Sequence, residues 1–558
     1  MKWKKETIVT VMLVLIFCVM GANAQTKPKV KLSGLPMNLD FVKYLKDSES
    51  GNVKIMTNDG RGLGGIPQHI DPDYVKGATF KWENPIISFP AKFDDLRQQN
   101  KLTPIRDQGN CGSCWTFATF GSIESGLYPD LSWNFSENNM KNLHGFDPSC
   151  CDGGNTFIST AYLSRWDGPI NESDDPYKDD AQNCISPARL TVRKHLQEVI
   201  WFPKKTSDLD NNDIKQAVST YGAAHTSMCW VEASYNANTY AYYYNGTENQ
   251  GGHEICIVGW DDNFEKSKFN TSPPGNGAYI CRNSWGPVWG ENGYFYVSYY
   301  DTFFGKRNFL AIYPGVESPN NYDNIYCYDL LGLISNIGDG KNETIWFANI
   351  FTASSDETLV AASWFSTFPN SSFELKVYLD PTNGPINQAG AVLTQTGSLT
   401  YMGYKTIELN KSIKLTKANK FSLVVKLTTP GLKYPMPVEY PIAQFSSKAA
   451  ANAGESYVST DGSTYDDLTS YENYKQANAC LRAFTLNSAS QRKCGDCNND
   501  GEITAGDAQW AFDCYLGKHT GNDCDKSFAD VNSDSDVTPG DAQLIFDNYL
   551  KGTQLNCP

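Results

Sequence analysis

The spacing of apolar and polar positions changes character several times along the 558 residues. Residues 1–24 begin with Lys2, Lys4 and Lys5, run through Val11, Leu13, Leu15, Ile16 and Val19, and end on Ala22-Asn23-Ala24. That order of charge, apolar run and small residues predicts an export signal cleaved before Gln25. Phe17 directly before Cys18 argues against a lipid anchor on that cysteine. No other apolar stretch is long enough to span a bilayer, so a soluble, exported chain is expected. From Thr116 to Leu127 the chain is free of proline and rich in small residues, which predicts a helix with Cys114 at its N-terminus. Farther on the period becomes two. Phe373, Leu375, Val377 and Leu379 alternate with polar residues, as do Phe421, Leu423, Val425 and Leu427, with Asp380-Pro-Thr-Asn-Gly384 as a turn. This predicts an all-β sandwich over residues 315–487, its ends tied by Cys327 and Cys480. Two further helices, carrying Ala508, Ala511, Phe512, Tyr515, Leu516 and then Ala542, Ile545, Phe546, Tyr549, Leu550, are expected to pack those matching apolar faces together.

Length predicts three or four folded units. Apolar residues make up 40% of the chain, enough for globular cores. The net charge of −15 argues against nucleic acid or an anionic membrane as partner. Sixteen cysteines fit an oxidising compartment. With Cys18 removed and Cys114 held free, an even number remains to pair.

Gln108-Gly-Asn-Cys111-Gly-Ser-Cys114-Trp115 carries the strongest chemical signal. A helix N-terminus offers unpaired N–H groups and partial positive charge, which favour a thiolate at Cys114. Gln108 would set a side-chain amide beside the sulfur, so that it and the Cys114 N–H hold an oxyanion. A nucleophilic cysteine needs a base, and His69, His144, His195, His225, His253 and His519 are available. The run Gln108 to Trp115 resembles the papain family, whose members place the histidine roughly 130–150 residues after the cysteine, and His253 lies 139 residues after Cys114.

With Asn283-Ser-Trp285-Gly286 downstream, these residues resemble the papain family over roughly Phe89 to Pro314. The resemblance implies an α+β papain-like peptidase domain at residues 89–314 and hydrolysis of peptide bonds in protein or peptide substrates without a catalytic cofactor. It implies catalytic roles for Gln108, Cys114, His253 and Asn283, with Trp285 covering the His253–Asn283 bond. Cys150-Cys151-Asp152-Gly153-Gly154 looks like the family's Cys-Asn-Gly-Gly element, which implies that Cys151 bridges Cys111 and that Gly153, Gly154 and Trp285 meet substrate. Cys150 with Cys184 is a second expected bridge. An insertion at residues 261–277 is expected as a surface loop. Gly252 before the histidine and Cys281 before Asn283 depart from the family pattern. A redox reading of Cys111-Gly-Ser-Cys114 does not account for Gln108, His253 and Asn283, and a transglutaminase-like set would call for aspartate at position 283. Residues 25–88, with Gly51, Gly60, Gly62, Gly64 and Gly65, read as a short pro-region; a retained extension is the alternative.

The β region at 315–487 resembles the lectin-like domain that follows some bacterial papain-like proteases. A carbohydrate or cell surface is one ligand this implies; a structural appendage packed on the peptidase is the other reading.

At residues 488–558 a motif recurs at an offset of 34 residues. Asp496, Asn498, Asp500, Glu502, Thr504 and Asp507 answer to Asp530, Asn532, Asp534, Asp536, Thr538 and Asp541, the oxygen-ligand spacing of calcium loops. Ser535 stands where the second loop's turn prefers glycine. The repeat resembles a type I dockerin, a small α-helical module holding two Ca2+ ions, and implies a cohesin domain of a scaffold protein as partner. Cys494-Gly-Asp-Cys497 lacks a second close cysteine pair for zinc, so disulfides are expected there. The chain is therefore expected to be a secreted cysteine endopeptidase on a scaffold. The alternative is an inactive papain-like fold serving as a binding or adhesion module.

Overall fold

The computed structural model describes residues 29–557 except 76–77, 79–81, 83, 131, 488–492, 499–501, 520–523 and 525. The expected export signal and Asp500 lie outside the described residues. Near the N-terminus are strand β1 (Ser33–Gly34) and helix α1 (Leu39–Glu49). Helix α2 (Cys114–Gly126) starts on Cys114 and is buried on nearly every side, as its alternation of small residues with Trp115, Phe117, Phe120 and Ile123 allows. Helices α3 (Glu137–Leu143) and α4 (Thr156–Ser164) pack against it.

Across α2 lie strands β2 (His195–Phe202), β3 (Ala224–Cys229), β4 (Gly252–Asp261), β5 (Ala278–Arg282), β6 (Tyr294–Ser298) and β7 (Leu310–Glu317). They form a sheet in the order β2-β7-β3-β4-β5-β6. Strand β4 is central, and every residue from His253 to Trp260 is buried. It therefore reads as a continuous apolar run rather than as an alternation. The segment between β4 and β5 is a loop with one short turn at Lys266–Lys268, anchored by the buried Phe264 and Phe269.

Residues beyond 315 supply β8 (Ser335–Gly338), β9 (Thr344–Thr352), β10 (Glu357–Ser366), β11 (Ser371–Leu379), β12 (Met402–Leu415), β13 (Lys420–Thr428), β14 (Met436–Glu439) and β15 (Leu481–Asn487). Strand β13 lies between β9 and β11 in one layer, and β10 lies between β12 and β15 in the other. The two-residue period puts Leu375, Val377, Leu423, Val425 and Leu427 in the core.

This sandwich is not free-standing. Strand β12 pairs antiparallel with β2, Met402 opposite Trp201, so one thirteen-stranded sheet runs through both regions. The residues before the peptidase join in too: β1 pairs with β8, Ser33 opposite Gly338. Arg482 on β15 is buried with Asp329, donating from Nη2 to Oδ2 at 2.8 Å, and reaches the Ser164 hydroxyl on α4 at 2.7 Å.

Three expectations are corrected. Cys327 and Cys480 do not form a disulfide; the Cys480 thiol donates instead to the Gly332 carbonyl at 3.4 Å. Nor do all the remaining cysteines pair. Cys111–Cys151, Cys150–Cys184, Cys494–Cys557 and Cys514–Cys524 are bonded, while Cys229, Cys256 and Cys281 are free and buried. Cys281 sits opposite Ile257 in the β4–β5 ladder, so Cys256 projects to the other face and the two sulfurs cannot meet. The third concerns helices α5 (Ala505–Tyr515) and α6 (Pro539–Lys551). Their buried apolar residues in the shared cluster are Ala508, Ala511, Ala542 and Ile545, with Trp510 and Leu544 partly buried against them. Phe512, Tyr515, Leu516, Phe546, Tyr549 and Leu550 stay between 36% and 56% exposed. Contact through alanines brings the helix axes close, and a two-helix unit has too little surface to cover the larger side chains as well.

Arg482→Met leaves Asp329 buried without its cation, and should cost about 3 to 5 kcal/mol of stability by denaturant unfolding. Adding Asp329→Leu should recover most of that loss, since the uncompensated charge is then gone.

Candidate active site

Cys114 opens helix α2 and is fully buried. Across from it, β4 carries His253, and the loop after β5 carries Asn283. The imidazole Nε2 lies 2.7 Å from Asn283 Oδ1, which also accepts the Ser284 N–H at 2.8 Å. An amide oxygen can only accept, so the proton of the neutral ring sits on Nε2 and Nδ1 keeps a lone pair. That nitrogen is buried with no hydrogen-bond partner among the described residues. Trp285 stacks on the ring with centroids 4.6 Å apart. Gln108 is buried, and its Nε2 donates to the Cys111 carbonyl at 2.9 Å. The Cys111–Cys151 disulfide fastens the loop just ahead of Cys114. The structure thus brings Gln108, Cys114, His253, Asn283 and Trp285 into one place.

Residues 61–66 run through the same place. Gly62 O accepts from Gln108 Nε2 at 3.1 Å and from Trp285 Nε1 at 3.3 Å. Gly64 O accepts from Gly154 N at 2.9 Å, and Ile66 N donates to Gly154 O at 2.9 Å, which is a parallel bridge. Gly65 N donates to Gly252 O at 2.9 Å. The strap therefore occupies the amide of Gln108 and both backbone groups of Gly154. A Cβ on Gly64 would lie 2.0 Å from the Gly112 carbonyl oxygen, and one on Gly252 would lie 1.9 Å from that of Gly65. Glycine before the histidine, a departure from the family pattern, is the residue this approach requires. The row of glycines before residue 66 was visible in the sequence, but its partner surface was not.

Burial under the strap sets the electrostatics. It pushes the Cys114 thiol up to about 12, with the Glu254 carboxylate adding to the effect and backbone N–H groups opposing it. It lowers His253 to about 4, against the hydrogen bond the ring donates to Asn283 Oδ1. Both shifts favour the neutral thiol and imidazole over an ion pair in the covered site. Glu254, which sequence reasoning passed over, is 3% exposed, and its N–H donates to Cys114 Sγ at 3.3 Å.

The acidic repeat lies apart from this site. Asp507 and Asp541, the twelfth positions, are buried and close capping boxes with Thr504 and Thr538 at the starts of α5 and α6. In the second loop Asp530 accepts the N–H groups of Asp534 and Ser535, at 3.1 and 2.8 Å, which wraps the loop around its carboxylate. Ser535 takes a φ of +78°, the region glycine would enter more easily. Asn532 pairs with Asp534, and Asp536 with Lys526. Among the described residues no three acidic, His or Cys side chains converge as a finished metal set. Buried carboxylates held by backbone N–H groups in a loop of oxygen donors suit a hard divalent cation. Asp496, Asn498 and Glu502 belong to the first loop, whose Asp500 is outside the described residues.

Residues 89–307 match the papain family cysteine proteases, residues 325–485 the lectin-like domain and residues 494–551 the type I dockerin domain. The chain carries these three domains in that order. It is 31% identical over 230 residues to a viral cathepsin of Heliothis zea nuclear polyhedrosis virus, covering 40% of this chain and 54% of that protein. It is 27% identical over 288 residues to the cysteine protease Amb a 11.0101 of Ambrosia artemisiifolia, covering 50% and 66% respectively. The match thus spans 54% and 66% of these two relatives' own lengths. Among solved structures, the cysteine protease and lectin-like domains of Cwp84, a surface layer associated protein of Clostridium difficile, superpose with a TM-score of 0.69 at 21% identity. That match covers 82% of this chain and 99% of the other, and it shows a shared fold.

If the strap is what covers Cys114, Gly64→Ala should unseat it. Alkylation of Cys114 by iodoacetamide at pH 7.5, followed by mass spectrometry on the chain still carrying residues 25–88, should accelerate roughly tenfold or more, the factor that about 1.4 kcal/mol of lost strap binding gives.

Proposed function

We propose that the protein is an exported cysteine endopeptidase, made as a zymogen and tethered by its dockerin to a cohesin-bearing scaffold. The observation that carries this reading is the meeting of Cys114, His253, Asn283 and Gln108 under a strap that takes up the very groups a substrate would use. Once the strap leaves, Gln108 Nε2 and the Cys114 N–H are free for an oxyanion, and water reaches the thiol and imidazole. Cys114 Sγ, its proton passed to His253 Nδ1, attacks a peptide carbonyl. His253 returns that proton to the departing amine as the C–N bond breaks, leaving a thioester. A water molecule gives a proton to His253, adds to the thioester and releases the acid and the thiol. Asn283 holds the ring in the tautomer this requires, and Trp285 shields their hydrogen bond. Gly154 pairs with substrate backbone as it pairs with the strap, and Gly153, where a Cβ would lie 2.7 Å from Gly64 O, leaves room for that approach.

Residues 25–88 are the pro-region in this account, and 89–314, 315–487 and 488–558 the three domains of the mature protein. Phe89 packs edge-on to Trp260, and the Pro90 carbonyl accepts the indole N–H of Trp260, so the chain is anchored from there onward. Ile87 just before it is fully exposed, which favours cleavage between Ile86 and Phe89. A solved structure of Cwp84 is described as following propeptide cleavage, and the same order of events is proposed for this chain.

In the dockerin, Asp496, Asn498, Asp500, Glu502, Thr504 and Asp507 would hold one calcium ion, and Asp530, Asn532, Asp534, Asp536, Thr538 and Asp541 the other. Calcium supplies charge that gathers these oxygens and fixes each loop on its helix. The exposed apolar side chains of α5 and α6 would then form the face offered to cohesin.

Chains beginning at Gln25, with and without Cys114→Ala, test the catalytic reading. The parent should lose residues up to about 88, read by N-terminal sequencing, and then hydrolyse fluorescent casein until an epoxide thiol inhibitor stops it. The variant should do neither. If both stay inert after removal of the pro-region by an added protease, the chain is a binding module. Calorimetric titration should find two calcium sites, the one at Ser535 weaker, and Asp541→Asn should remove the weaker event.

A further inference from the structure

One buried ionisable pair beside the nucleophile has no part in the steps above. Glu254 follows His253 on β4, and His225 sits on β3; they are 3% and 0% exposed, with Glu254 Oε2 and His225 Nε2 2.9 Å apart. His225 Nδ1 lies 3.2 Å from Thr119 Oγ1, on α2 little more than a turn beyond Cys114. The Thr119 hydroxyl donates to the Trp115 carbonyl at 2.8 Å, so toward His225 it acts as acceptor, and a proton sits on Nδ1. Both heteroatoms of the imidazole are therefore engaged. The contact at Nε2 must contain a second proton, because a bare carboxylate facing an imidazole lone pair would repel it. The chain Thr119–His225–Glu254 thus joins the helix that carries the nucleophile to the strand that carries the base. At its end, the Glu254 N–H points at the sulfur.

We propose that Glu254 and His225 are a positioning pair for the nucleophile: they seat the His253 strand against the Cys114 helix, and the proton they share keeps the Glu254 carboxylate from standing as a bare negative charge behind the sulfur. The proposal rests on the catalytic reading of Cys114. The Glu254 N–H reaches the sulfur at 3.3 Å, and the charge of its carboxylate pushes the Cys114 thiol upward. The other titratable groups around it are few. His253 and Cys256 share its strand, Tyr313 faces it from β7, and Arg282 and Glu124 act on Cys256 from β5 and α2. Arg106 and Glu137, which pair with each other, line the same small cavity. His225 is the side chain that meets the Glu254 carboxyl directly, Nε2 to Oε2 at 2.9 Å.

The test is the pH dependence of Cys114 alkylation by iodoacetamide, measured by mass spectrometry on the full-length chain after pro-region removal. This reads the thiolate whether or not any peptide is hydrolysed, so it separates failure of this inference from failure of the catalytic reading. His225→Asn removes the shared proton and leaves the carboxylate. It should move the midpoint up by about one pH unit, the size of shift a nearby like charge imposes. The double variant His225→Asn with Glu254→Gln should bring the midpoint back to that of Glu254→Gln alone. Should His225→Asn fail to fold, His225→Gln, which keeps an amide for both neighbours, carries the same expectation. A midpoint unchanged in the histidine variant, with rates lowered evenly at every pH, would make the pair merely structural and overturn the proposal.

Discussion

Backbone pressed on backbone, with no side chain between, is the contact on which the whole site depends. Residues 62–65 reach the floor of the cleft because glycines stand on both sides of the approach, Gly62, Gly64 and Gly65 on the strap and Gly112, Gly154 and Gly252 opposite. A single methyl group at Gly64 or Gly252 would fall within 2.0 Å of a carbonyl oxygen. From that closeness follow the occupied Gln108 amide, the covered sulfur, and the neutral thiol and imidazole. The strap is in turn held in place by what surrounds it. Lys54 pairs with Glu232 at 2.9 Å, Arg61 donates to the Trp285 carbonyl, and β1 adds to the sheet edge at β8. Restraint of the site is thus distributed over the peptidase and the β region together.

The sheet shared by the two regions explains why they act as one support. Strand β2 takes β7 on one side and β12 on the other, so the peptidase sheet has no free edge there. Arg482, Asp329 and Ser164 close the same boundary with a fully buried polar network. Such a network tolerates no partial loss, which argues for a fixed rather than a hinged arrangement of these two parts.

How much could be read from the residues differs by scale. Cys114 at a helix start and His253 at its distance from the cysteine were legible because chemistry requires those residue types in that order. The strands at 371–379 and 420–428 were legible because one face of each is buried and the period of two survives in the sequence. The pairing of β12 with β2 was not, since an edge that joins a neighbour's sheet looks like any other strand. Cys327 and Cys480 misled because an even number of cysteines says nothing about distance. The apolar positions of α5 and α6 misled in the opposite way: the helical spacing was right, but an exposed apolar face carries the same pattern as a buried one. Glu254 escaped notice because a carboxylate beside a base has no signature until its buried partner, 29 residues earlier in the chain, is seen to touch it.

The central claim is that residues 61–66 fill the cleft as an inhibitor and not as a substrate. A synthetic peptide spanning residues 55–68, added to the protein after residues 25–88 have been removed, tests it most directly. The account predicts that the peptide slows hydrolysis of fluorescent casein in competition with it and is recovered intact by mass spectrometry. A peptide that leaves hydrolysis unchanged, or that is itself cut between residues 61 and 66, would contradict it.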